Sequence, residues 1–224
     1  MHRSRRVRSP HPFQGLVLVL LLAAASVLTG CASSPSTPAN AGHGAFHGVD
    51  MRQRSLSLTS GDLSVPFRST SGGPTTLARL QSGKLMLLYF GYTHCPDVCP
   101  TTMADLGGAL RHLSPAQQQR VQVVFVTSDP ERDTVPVMRA WLANFDGGLA
   151  RRFVGLTATA RQIDGVAGTL HILIAPPVRH KNGTVTVEHG AETIVFVDHR
   201  AQVLWSSGTS AGQYAADLNR LLAS

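Results

Sequence analysis

The chain has 224 residues, with 20 Lys+Arg against 13 Asp+Glu, a formal net charge of +7, 43% hydrophobic residues and three cysteines. That length fits one globular domain with appendages, and a composition without a glycine period or sustained heptads excludes collagen, coiled coil and wholesale disorder. The excess charge is local: Arg3, Arg5, Arg6 and Arg8 precede every acidic residue, and setting those four aside leaves 16 basic against 13 acidic residues, or +3, too small a balance to argue for a nucleic-acid partner.

The basic start leads into residues 16–27, an apolar run too short to cross ~30 Å of hydrocarbon and flanked like the core of an export signal. The run ends in Leu28-Thr29-Gly30-Cys31, which resembles the lipobox of bacterial lipoproteins. The resemblance implies that residues 1–30 are a signal peptide and that Cys31 is acylated. The domain would then be exported and held on a bacterial membrane, facing the periplasm or the cell exterior. Attachment of more than one acyl chain gives a firm anchor, since each buried CH₂ contributes ~0.8 kcal/mol. Residues 31–55 are rich in Ser, Pro, Ala and Gly and predict a flexible tether in which His43 and His47 are solvated.

Residues 56–224 alternate strand-like and helix-like runs. The pattern predicts a short extended piece at 63–67, a strand buried on both faces at 84–90, and a helix over 102–113 from the spacing of Met103, Leu106, Leu110 and Leu113. Next come a strand at 121–126, a helix at 135–145, a strand at 152–156 and a helix at 159–170. Strands at 193–197 and 202–205 follow, joined by a turn at 198–201, and an amphipathic helix at 212–222 closes the chain. Alternating elements argue for an α/β layer structure with a parallel segment, made mixed by the terminal hairpin. A strand, a cysteine pair opening a helix, a βαβ unit, then a hairpin and helix is the order of a thioredoxin-like fold.

The stretch Tyr89-Phe90-Gly91-Tyr92-Thr93-His94-Cys95-Pro96-Asp97-Val98-Cys99-Pro100 carries the chemistry. Cys95 falls at a strand-to-helix junction, where unpaired N–H groups and the helix dipole favour a thiolate. Cys99 stands four residues on, so both sulfurs can converge on one point. Such a pair can exchange electrons as a dithiol and disulfide, or present two soft donors to an ion such as Cu(I). A structural disulfide is the plain alternative.

That stretch, together with Asp129-Pro130-Glu131-Arg132-Asp133-Thr134 and Phe153-Val154-Gly155-Leu156-Thr157, resembles the Sco/SenC family over roughly residues 57–222. The resemblance implies a membrane-tethered, copper-binding protein that assembles the copper centre of cytochrome c oxidase. Copper would be held by Cys95, Cys99 and a distant histidine, which the motif Val187-Glu188-His189 places at His189. Partners would be the copper-bearing oxidase subunit and other periplasmic copper carriers or thiol reductases. Glu188 stands where the family pattern has aspartate. The interval from His189 to Asp198 is one residue longer than that pattern, a slip that an irregular turn at Gly190 would absorb. His180 is the rival ligand in a polar loop, His94 is expected to shape the junction, His171 to be partly buried, and Asp129, Glu131, Arg132 and Asp133 to clamp a loop. The same cysteines support a second reading, a thiol–disulfide reductase in which Cys95 attacks and Cys99 resolves, keeping the oxidase cysteines reduced.

Overall fold

The computed structural model describes residues 45–223; the expected signal peptide, Cys31 and His43 lie outside them. In chain order the elements are β1 (Val49–Asp50), α1 (Ser60–Ser64), β2 (Phe67–Ser69), β3 (Pro74–Thr75), α2 (Leu77–Gln81), β4 (Leu85–Gly91), α3 (Val98–Arg111), α4 (Pro115–Gln119) and β5 (Val121–Thr127). There follow α5 (Val135–Leu142), β6 (Val154–Thr157), α6 (Ala160–Thr169), β7 (Val178–Arg179), β8 (Val185–Thr186), β9 (Thr193–Val197), β10 (Arg200–Trp205) and α7 (Ala211–Ala223).

β4 and β5 are buried along their whole length, as expected of strands covered on both faces. They pair in parallel from Leu85↔Val121 to Gly91↔Thr127, β6 continues the parallel segment beside β5, and β9 runs antiparallel to β4. The full order is β1-β10-β9-β4-β5-β6-β2-β3, a mixed sheet with the thioredoxin-like arrangement. Side chains alternate across it with the period of two that a pleated strand imposes. Leu85, Leu87 and Tyr89 face Met103, Leu106, Tyr214 and Leu218 of α3 and α7, whereas Met86, Leu88 and Phe90 face Leu77, Ile163 and Val166 of α2 and α6.

Three local features depart from the sequence pattern. Residues 60–64, where an extended piece was predicted to begin at 63, form a helical turn. Thr59 accepts from the Asp62 N–H while Asp62 Oδ2 accepts from the Thr59 N–H at 2.8 Å, a capping box that outweighs the Leu63/Val65/Phe67 alternation. The turn at 198–201 shrinks to two residues: Asp198 and His199 both have positive φ, at 43° and 71°, and β10 starts at Arg200 opposite Val197. Left-handed residues at both central positions match the twist of the flanking strands. Helix α3 begins four residues before the predicted start, which places Cys99 in its first turn.

The segment assigned to a tether over 31–55 is in part structural. β1 pairs with β10 through Val49↔Leu204 and Asp50↔Val203, and Met51 is buried. His47 is not simply solvated: its N–H lies 2.9 Å from Asp217 Oδ2 and its Nδ1 3.0 Å from Oδ1, the Gly48 N–H donates to Oδ2 at 3.1 Å, and Trp205 Nε1 donates to Oδ2 at 2.8 Å. Asp217 is 0% exposed. A carboxylate so buried persists only with such donors, and the N-terminal arm supplies most of them.

Candidate metal site

β4 delivers the chain to Gly91 at the carboxyl end of the parallel segment, and residues 92–97 cross to the start of α3. A Cβ on Gly91 would lie 2.8 Å from Cys99 Sγ and 2.7 Å from Tyr89 Cε1, so the absence of a side chain there lets Cys99 seat against the strand. The Cys95 N–H donates to the Tyr92 carbonyl at 3.2 Å, closing the turn before the helix. Asp97, at the N-cap, puts no side chain on the helix end, and the N–H groups of Asp97 and Cys99 serve the Cys95 sulfur instead. Cys95 is partly buried, Cys99 fully buried, and both are free thiols.

His189 arrives from the opposite flank. It bridges to Ile174, with the Ala175 N–H donating to the Glu188 carbonyl and the Gly190 N–H to the Leu173 carbonyl, each at 2.8 Å. Residues 190–192 have no regular secondary structure before β9 opens at Thr193, and His189 faces the cysteines. His189 Nδ1 lies 2.8 Å from the Gly190 carbonyl, an acceptor only, which makes Nδ1 a donor and turns Nε2 toward the sulfurs. Nε2 is 3.4 Å from Cys99 Sγ. Tyr92 and Tyr89 stand perpendicular to the imidazole, with ring centroids 5.7 and 6.2 Å away and interplanar angles of 89° and 86°. The ligand atoms of Cys95, Cys99 and His189 all lie within 4.8 Å of one another.

The two thiols are driven apart in acidity. A hydrogen bond from Cys99, joined by His189 and the N–H groups of Asp97 and Cys99, outweighs burial and brings Cys95 down to about 3. Cys99 goes up, because its proton is held by the Cys95 sulfur and because it is buried. Burial, reinforced by the neighbouring Cys99, likewise raises Tyr89, whose hydroxyl donates to Cys99 Sγ at 3.5 Å. The resting site is thus a thiolate and a thiol sharing one proton beside the imidazole of His189. Two sulfurs and one nitrogen suit a soft or borderline metal ion, and binding one would release the Cys99 proton.

Residues 129–133 hold the cysteine loop, as the sequence led one to expect. Asp133 is completely buried and accepts from the Thr93 N–H at 3.0 Å, Thr93 Oγ1 at 2.6 Å and Thr127 Oγ1 at 2.7 Å. Arg132 pairs with Asp129, donates to the Val185 carbonyl at 3.2 Å and lies over the Tyr92 ring at 5.7 Å, so one residue ties the cysteine side to the histidine side. Glu131, between them, is exposed.

Among the other histidines, His94 Nδ1 sits 3.1 Å from Thr93 Oγ1 and 3.6 Å from Asp133 Oδ1, next to the cysteines without joining them. His180 belongs to the β7–β8 hairpin, where Nε2 meets Thr186 Oγ1 at 2.8 Å, outside the sulfur cluster. His171 is exposed at a left-handed φ of 57°, contrary to the expected partial burial, because it terminates α6. The tyrosines around the site were not foreseen, although the period of two along β4 assigns Tyr89 to the α3 face.

A family model described as SCO1/SenC matches residues 60–223. The mitochondrial SCO2 homolog of Bos taurus is 33% identical over 143 residues, covering 63% of this chain and 52% of that protein. The mitochondrial SCO1 homolog of Mus musculus is 31% identical over 140 residues, covering 62% and 48%. The chain thus spans about half the length of these curated relatives. Among solved structures, the apo Sco1 protein of Thermus thermophilus shares 31% identity at a TM-score of 0.66, covering 79% of this chain and 97% of that one. ScoI of Bradyrhizobium japonicum, solved with copper bound, shares 31% identity at a TM-score of 0.61, covering 69% and 95%.

Proposed function

Since the chain belongs to the SCO1/SenC family, we propose that it is a membrane-tethered copper metallochaperone that carries copper on Cys95, Cys99 and His189 and delivers it to the copper-bearing subunit of cytochrome c oxidase. The observation that carries this reading is the convergence of three ligand atoms from two separate parts of the chain within 4.8 Å. Two sulfurs and an imidazole hold Cu(I) at low coordination and Cu(II) with mixed nitrogen and sulfur donors. Three protein ligands leave room for an incoming ligand of an acceptor protein, so copper can leave by stepwise ligand exchange. The titratable partner is already arranged: one thiolate stands ready, and only the Cys99 proton must depart. Acylation of Cys31 would supply the tether, placing the domain on the outer face of a bacterial membrane. Among the described residues no helix is long and apolar enough to cross one.

Copper loading of the full chain tests the assignment. Wild type should bind one copper per chain, and His189→Ala should lose copper to a competing chelator at least ~10-fold more readily. Equal retention and an unchanged absorption spectrum would remove His189 from the site.

The split in thiol acidity favours a second activity of the same pair. The Cys95 thiolate attacks a disulfide of the oxidase subunit, forming a mixed disulfide and releasing one partner thiolate. Cys99 then gives up its proton and attacks the Cys95 sulfur, closing the Cys95–Cys99 disulfide and freeing the second partner thiolate. This route needs both cysteines but not His189. Oxidase assembly that survives His189→Ala and fails with Cys99→Ser would favour it over copper delivery.

A further inference from the structure

At the amino-terminal ends of β5 and β6, at the opposite end of the strands from the cysteines, lies a cavity of about 470 Å³ bordered by Arg139, Arg151, Arg152, Gln122, Asp146 and Thr70. Its size falls within the range of small-molecule sites. Three guanidinium groups against one carboxylate leave a local charge of +2: Asp146 Oδ2 accepts from the Phe153 N–H at 2.8 Å, and Oδ1 lies 3.2 Å from Arg152 Nη1 as an ion pair without a hydrogen bond.

The arginines are held in place and yet have donors to spare. Arg139 donates through Nε to the Thr70 carbonyl at 3.0 Å, and Arg151 through Nε to Gln122 Oε1 at 2.6 Å. Gln122 is 1% exposed, and its Nε2 donates to the carbonyls of Val123 and Arg152 at 3.0 and 3.1 Å. A buried amide at the start of a central strand has a desolvation cost that an apolar residue would not have, and here it fixes an arginine at the cavity edge. Among the described residues, no protein atom receives the Nη groups of Arg139 or Arg151. Thr70 Oγ1 accepts from the Gly155 N–H at 2.9 Å and so has its own proton to give.

We infer that this cavity is an oxyanion site that takes a phosphate group, with the Nη groups of Arg139 and Arg151 as its principal donors and Arg152 as additional positive charge. Several fixed N–H donors on planar, permanently charged groups match the several acceptor oxygens of a phosphate. The phosphate can come as the free anion or as the diester of an anionic lipid headgroup, and the two sources differ in charge and bulk. The site stands apart from the cysteines and does not depend on the copper reading.

Titration calorimetry on the full chain tests it, with inorganic phosphate in one arm and glycerophosphoglycerol, the soluble headgroup diester, in the other. The expected result is one saturable site per chain for at least one of them, weakened at least tenfold by Arg139→Gln and by Arg151→Gln and unchanged by Arg111→Gln, an exposed arginine on α3 that does not border the cavity. Tighter binding of the diester assigns the headgroup, and tighter binding of phosphate assigns the free anion. Arg139 is exposed, so its variant carries the test alone where loss of the Arg151–Gln122 bond unfolds the chain. Absence of saturation by either compound up to about 10 mM, or equal affinity in wild type and Arg139→Gln, would overturn the assignment.

Discussion

Nε2 of His189 lies 3.4 Å from Sγ of Cys99, ninety residues away in sequence, while Nδ1 of the same ring is held by the Gly190 carbonyl at 2.8 Å. The ring is therefore oriented before any metal arrives, by the carbonyl of the residue that follows it. Orientation of a ligand by its other ring nitrogen typically changes metal affinity by ~10–100-fold, so the hydrogen bond to the Gly190 carbonyl supports the site.

Gly91 should tolerate no side chain. In Gly91→Ala the new Cβ would meet Cys99 Sγ at 2.8 Å and Tyr89 Cε1 at 2.7 Å. Overpacking of this kind costs about 1–3 kcal/mol, and here part of it is relieved by pushing the ligand sulfur away. The expected outcome is a lower urea midpoint together with weaker copper retention. A variant that loses neither would show that Cys99 does not need its seat against β4.

Cys95 should react as a thiolate well into acid. Its thiol is brought from an ordinary value of 9.0 down to about 3, so alkylation of Cys95 by iodoacetamide should change little between about pH 5 and pH 8, where an unperturbed cysteine would accelerate steeply. The linkage has a definite sign. A depressed folded value contributes stability that is present above the unfolded value and is lost as pH falls from about 9 toward 3, whereas the raised Cys99 contributes stability that is lost as pH rises above 9. The reduced chain should thus lose stability on acidification more than Cys95→Ser does. An ordinary cysteine titration near pH 8.5 would contradict the arrangement.

The N-terminal arm should come free when Asp217 is neutralised. Burial pushes this carboxyl up, but the donors of His47, Gly48 and Trp205 more than offset it and hold it below the usual carboxylate range. Asp217→Asn keeps the shape, loses the charge and turns an amide N–H toward N–H donors. Hydrogen bonds to a buried charge contribute ~1.5–3 kcal/mol each, so the variant should lose about that much stability. Residues 46–50 should then become a site of proteolysis, with fast amide exchange at His47 and Gly48. Retained protection of those two amides would show that β1 pairing alone anchors the arm.

The parts of this structure that were legible in the sequence are those whose signal is local. Six consecutive apolar residues, Leu85 to Phe90, and two cysteines four apart before a helical repeat, state their own conformation. Where two local signals competed, the weaker was easily taken for the stronger: Leu63, Val65 and Phe67 alternate like a strand, yet the reciprocal bonds of Thr59 and Asp62 wind the preceding residues into a turn. The interactions that could not be read join distant positions through polar atoms. His47 and Asp217 are 170 residues apart, and Thr93 and Asp133 are 40 apart. Nothing in the periodicity of either segment announces the other. The histidine of the site was legible only through family resemblance, since nothing in its neighbourhood says that the chain folds back upon the cysteines.

X-ray absorption at the copper edge of the loaded full chain tests the central claim most directly. Wild type should show two sulfur scatterers and one imidazole nitrogen, with the imidazole signal absent in His189→Ala. A wild-type spectrum with sulfur scatterers alone, or an imidazole contribution that persists in His189→Ala, would contradict it.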